Sequence, residues 1–135
     1  MIYRNKFTNE TSLIAEFERS QFVFYLTGSR QFGTHTYDSD FDFFVGEQPN
    51  LDEFLLALGF ELIPAEFTGY GDPLILRVYE HWNANVHVQV VTSAPQKLDA
   101  QELLDTLPRN VLLAMSQNKA IGRDMWQWAI KKVVK

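Results

Sequence analysis

The chain has 135 residues, 46% of them hydrophobic, with eleven Phe and three Trp. This is enough apolar material for one domain with a real core, and it argues against disorder. With no cysteine, disulfides and thiolate metal sites are excluded. The net charge of −5 is uneven: residues 1–96 carry 13 acids against 5 Lys/Arg, and residues 97–135 carry 4 acids against 7 Lys/Arg, so −8 and +3. Such an acidic body is a poor nonspecific binder of nucleic acid, whose phosphates need cations.

Along the chain, "TNETSLIAEFER" predicts a helix with Leu13, Ile14 and Phe17 on one side and Asn9 or Thr11 as its cap. "QFVFYLT" predicts a buried strand ending at Gly28, and "FDFFV" a second strand. "NLDEFLLALGF" predicts a short helix capped by Asn50, since Leu51, Phe54, Leu55 and Leu58 fall on one face. "FELIP", "LILRVYEHW" and "NVHVQVV" predict three more strands, separated by turns at Gly69, Gly71 and Pro73 and at Asn83 and Asn85. From about Lys97 the pattern becomes helical in three segments, with Pro108 in the first turn of the second. The order α-β-β-α-β-β-β-α-α-α implies a single α/β or α+β domain over residues 1–135, a mixed sheet covered by helices, with a helical C-terminal part from about residue 97. No apolar run approaches the 18 residues of a membrane span and no signal peptide is evident, so the expected compartment is the cytoplasm, without a membrane partner.

The chemistry concentrates in "TGSRQFGTHTYDSDFDFFV", residues 27–45. Two familiar motifs fail there. Gly28 and Gly33 have the spacing of a phosphate-binding P-loop, but Thr34 and His35 stand where it needs Lys and Ser/Thr. Asp38, Asp40 and Asp42 begin like a calcium loop, but Phe43 and Pro49 occupy its glycine and glutamate positions. What remains is a glycine turn followed by acids on alternate strand positions. Asp40 and Asp42 then share a face, Cα atoms about 6.5–7 Å apart, and can chelate a hard cation, while Phe41, Phe43 and Val45 point into the core. Gly28 permits a sharp turn, and Ser29 offers an N–H and a hydroxyl to phosphate oxygens. Arg30 can pair with phosphate or brace the aspartate strand, and Gly33 permits close backbone approach. The plainer alternative is an Asx-type turn at Asp38 and Ser39 followed by a solvated strand face.

"GSRQFGTHTYDSDFDFFV" resembles the G-S-R-x-x-G … S-D-x-D signature of nucleotidyltransferases of the DNA polymerase β superfamily, above all the minimal and RNA-repair-associated branches, over residues 22–45. The resemblance implies a nucleotidyltransferase-like fold. It also implies triphosphate binding at Gly28 and Ser29, Mg²⁺ or Mn²⁺ at Asp40 and Asp42, and transfer of a nucleoside monophosphate from an NTP to a hydroxyl. The acceptor would be a nucleic-acid end, a protein or a small molecule. The superfamily carries a third carboxylate on a later strand. Here that strand is "NVHVQVV", where Gln89 stands at the expected position and His87 is the other candidate. Glutamine coordinates a cation but takes no proton, and a neutral imidazole is a base but a mediocre Mg²⁺ ligand. Glu80 on the preceding strand is a further source of oxygen. The departure leaves open a catalytically degenerate nucleotide- or protein-binding regulator, or an enzyme that works with a protein partner docked on its C-terminal helices. Arg77, Lys131 and Lys132 are candidate phosphate contacts, and His35 is close enough in sequence to approach one.

Overall fold

In a computed structural model the chain is described over residues 6–64 and 72–134. These described residues form five strands, β1 (Tyr25–Thr27), β2 (Phe41–Gly46), β3 (Phe60–Leu62), β4 (Ile75–His81) and β5 (Val86–Val91). Six helices accompany them, α1 (Lys6–Arg19), α2 (Gly28–Phe32), α3 (Leu51–Ala57), α4 (Ala94–Asp105), α5 (Arg109–Gln117) and α6 (Lys119–Val133). The strands make one sheet in the order β1-β2-β5-β4-β3, with β2 and β5 parallel at its centre and every other pair antiparallel. This is the expected α+β architecture. Among the described residues no helix is long and apolar enough to cross a membrane.

Side-chain alternation gives the sheet two buried faces. On one, Phe43, Val45, Val86, Val88 and Val90 pack with Leu13 and Phe17 of α1 and Leu51 and Leu55 of α3. Aromatic contacts knit this layer, with Phe17 stacked on Phe24 at 4.1 Å and edge-on to Phe43 at 5.3 Å. On the other face Phe44 and Val91 pack with Ala100 and Leu104 of α4, Leu112 and Met115 of α5, and Ala129 and Ile130 of α6.

Several local expectations are corrected. Asn9 and Thr11 are not at the start of α1 but inside it, since the helix already includes Lys6. β1 is only three residues long, because Phe22 and Phe24 pack on Phe54 instead of continuing the strand. Asn50 does precede α3, but in the left-handed conformation (φ 68°) and without a side-chain capping bond. α4 starts at Ala94, three residues before Lys97, because Ser93 caps it by accepting from the Gln96 N–H and a proline occupies its first turn. Pro108 is the N-cap of α5 and lies just outside its first turn. Gly69 and Gly71 lie outside the described residues.

Phe44 is fully buried between the central strands and the helical layer and stacks on Tyr25 at 5.1 Å. Phe44→Ala should therefore cost about 3–5 kcal/mol in urea denaturation, as large cavities do. Trp82→Ala, at a side chain 68% exposed, should change stability far less.

Candidate metal centre

The turn after β1 brings the glycine against the acids. Thr27 is extended, and Gly28 then takes φ +72° and opens α2. A Cβ at Gly28 would lie 2.6 Å from Asp42 Oδ2, so glycine is required both by backbone conformation and by the nearness of the carboxylate. Gly33 is needed for conformation alone: it ends α2 at φ +76°, with nothing within 4 Å of where its Cβ would be. The expected close approach is therefore made at Gly28 and not at Gly33.

Of the two roles open to Arg30, the structure shows bracing. Its Nε and Nη2 donate to the Ser39 carbonyl at 3.2 and 3.0 Å, Nη2 also donates to the Tyr37 carbonyl, and the guanidinium lies 3.9 Å above the Phe41 ring. The loop closes on itself as Thr36 N–H and Oγ1 donate to Ser39 Oγ and Asp38 Oδ1. Asn85 then ties it to the start of β5, its carbonyl accepting from Phe41 N–H and its Nδ2 donating to the Asp38 carbonyl. These bonds fix where Asp40 leaves the loop and where β2 begins.

Strand register completes the site. Thr27 pairs with Asp42, Asp42 with His87, His87 with Glu80 and Glu80 with Glu61, so one polar row crosses all five strands on the face toward α4 and α6. His87 Nδ1 lies 3.4 Å from Asp40 Oδ2 and 3.6 Å from Asp42 Oδ1, and its Nε2 lies 3.6 Å from Glu80 Oε2. One donor atom each from Asp40, Asp42 and His87 falls within 4.8 Å of the others, and the buried Nδ1 makes no hydrogen bond. A three-ligand metal position fits this donor set. Gln89 is set one row deeper, opposite Phe44, so it lines the same cleft without joining the cluster. The partner of Asp42 on β5 is therefore His87, the second of the two candidates.

The cluster opens into a cleft of about 800 Å³. Gly28, Ser29, Asp40 and Asp42 line one side, and three cations that sequence reasoning had not singled out for the site, Lys97, Lys119 and Arg123, line the helical side. Lys97 is almost completely buried; it is paired with Asp72, and its Nζ lies 3.9 Å over the Trp126 ring. Burial pulls its ammonium below the ordinary value and Asp72 opposes that shift. Burial also raises the Asp42 carboxyl to about 6, with Asp40 adding to the rise and His87 and Lys97 opposing it. Other candidates lie elsewhere. Arg77 is held by Glu47 and Asp52, and His35, Lys131 and Lys132 are exposed and do not line the cleft. His81 Nε2 donates to the Leu58 carbonyl while Nδ1 accepts from the backbone of Asn83 and Ala84, a structural role.

No family model, curated protein or solved structure matches this chain.

Two predictions concern the metal-free protein. The folded Asp42 carboxyl titrates near 6 against 3.8 when unfolded, so the native state binds its proton more tightly and loses stability as pH rises from about 4 to 6. Asp42→Asn should therefore be more stable than wild type in EDTA at pH 7–8, by up to about 3 kcal/mol and with a higher melting point, and converge with it below pH 4. A lower melting point at every pH would make the carboxylate a structural group. Gly28→Ala should lose more than about 1 kcal/mol at neutral pH, from the left-handed backbone and the Asp42 contact together, whereas Gly33→Ala meets only the backbone term.

Proposed function

We propose that this protein is a metal-dependent nucleotidyltransferase of the cytoplasm, transferring a nucleoside monophosphate from an NTP to a hydroxyl acceptor with release of pyrophosphate. The observation that carries this reading is the convergence of Asp40, Asp42 and His87 beside the Gly28–Ser29 turn, facing cations across a cleft of nucleotide size. Acids on one wall and cations on the other suit a triphosphate that arrives with a divalent cation.

Asp40, Asp42 and His87 would hold Mg²⁺ or Mn²⁺, which when bound offsets triphosphate charge and polarises the reacting phosphoryl group. Ser29 presents its N–H and hydroxyl to phosphate oxygens, and Lys119 and Arg123 approach them from α6. Lys97, fixed by Asp72 and Trp126, adds a positive field that needs no rearrangement during reaction. In the transfer, the acceptor oxygen bonds to the α-phosphorus and the bond from that phosphorus to pyrophosphate breaks. The hydroxyl proton passes to Glu80, the carboxylate of the cleft that lies outside the ligand set. A protein or RNA acceptor, and a protein partner at the C-terminal helices where Ile121 and Trp128 are exposed, belong to the same proposal.

A second reading has its own support. The β5 position opposite Asp42 is His87, and the next position on the same face is Gln89, neither of them a third carboxylate. This favours a catalytically degenerate domain that binds a nucleotide or a protein as a regulator.

Calorimetry with ATP, GTP, CTP and UTP decides the first point. Binding of at least one nucleotide should require Mg²⁺ or Mn²⁺, vanish in EDTA and fall at least tenfold in Asp42→Asn; equal binding in EDTA removes the acids from a metal role. Transfer from labelled NTP to RNA, protein or small-molecule pools supports the enzyme, and metal-dependent binding without any transfer supports the regulator.

A further inference from the structure

A divalent site built from two carboxylates and one imidazole is not chemically equivalent to one built from three carboxylates. The orientation of His87 decides what this one can hold. Its two ring nitrogens face different groups: Nε2 lies toward Glu80 on β4, at 3.6 Å, and Nδ1 lies toward Asp40 and Asp42, at 3.4 and 3.6 Å. A cation held between the two acids would meet the Nδ1 lone pair, and the ring proton on Nε2 would then face Glu80. Three lone-pair donors then converge on one point, which is the arrangement of a carboxylate-supported histidine ligand. Nδ1 is buried without a hydrogen-bond partner. Gln89, 6% exposed and lining the same cleft one row deeper, likewise has an Oε1 without a partner.

We propose that His87 is a metal ligand through Nδ1, supported by Glu80 behind it, and that the site selects Mn²⁺ over Mg²⁺. The inference rests on the metal part of the function proposed above and not on the transfer reaction. Mg²⁺ is a hard cation that takes oxygen donors and gives up its water reluctantly, so exchanging a carboxylate for an imidazole weakens it by charge and by donor type. Mn²⁺ accepts nitrogen more readily, and Co²⁺ and Zn²⁺ beyond it in the same affinity series accept it more readily still. Asp40 and Asp42 retain enough hard oxygen for Mn²⁺ to be held beside phosphate.

The test measures cations directly. Purified wild-type protein is titrated with Mn²⁺, following loss of the free-ion electron paramagnetic resonance signal, and then back-titrated with Mg²⁺. Melting curves run in parallel to show that each variant is folded. Mn²⁺ should bind wild type about tenfold or more tightly than Mg²⁺. His87→Asp should collapse that ratio by strengthening Mg²⁺ binding, and Glu80→Gln should weaken Mn²⁺ by about tenfold while leaving the melting curve in place. Equal Mn²⁺ and Mg²⁺ affinity in wild type, or a ratio unchanged in folded His87→Asp, overturns the proposal. Adding an NTP separates the two claims. Selective Mn²⁺ binding with no nucleotide binding removes the transferase reading and keeps this one. Metal-dependent nucleotide binding without cation preference does the opposite.

Discussion

Parallel pairing of β2 with β5 aligns Asp42 with His87, and the same alignment puts Phe43, Val45, Val86, Val88 and Val90 together on the opposite face. Because side chains alternate with a period of two, core and cluster are two readings of one register. A slip by one residue would turn His87 and Gln89 into the aromatic layer and expose three valines, so burial of that layer holds the polar row in place. The row needs this support, because it sets acids beside one another on a strand face where acids are otherwise disfavoured. Bonds from Arg30 and Asn85 to the loop carbonyls do the corresponding work for Asp40, which lies just before the strand begins.

Electrostatics divides the cleft. The strand side gathers Asp40, Asp42 and Glu80, and burial raises the Asp42 carboxyl to about 6 in the absence of a cation. The helical side presents Lys97, Lys119 and Arg123, with Asp72 opposing the pull of burial on the Lys97 ammonium. Each wall is unfavourable by itself: like charges repel, and a buried ammonium needs a partner. A ligand carrying both a dication and a polyanion would relieve both walls at once. That is the physical content of the functional proposal.

Much of this architecture was legible in the sequence because it follows local periodicity. The alternation in "FDFFV" and "NVHVQVV" placed both strands and both of their faces, and the Gly28 turn could be read from its position between an apolar strand and the acids. What depends on partners distant in the chain was not legible. Choosing between His87 and Gln89 requires the register of a parallel pair whose strands are joined by some forty residues, and no local pattern encodes it. Lys97 looks like any helical lysine until α4 packs over the sheet and brings it to Asp72 and Trp126. The early start of α4 is a different case: Ser93 followed by Pro95 is a start signal present in the sequence and overlooked in favour of the apolar pattern after it.

The central claim is that Asp40, Asp42 and His87 are the ligands of one divalent cation at the floor of a nucleotide cleft. Diffraction at the manganese absorption edge, from crystals grown with Mn²⁺ and a non-hydrolysable NTP analogue, tests it most directly. The account predicts one strong anomalous peak in contact with both carboxylates and with His87 Nδ1, and density for the triphosphate between that peak and the Gly28–Ser29 turn. A cation bound elsewhere, or a cluster that remains an ion pair among Asp40, Asp42 and His87 at saturating Mn²⁺, would contradict it.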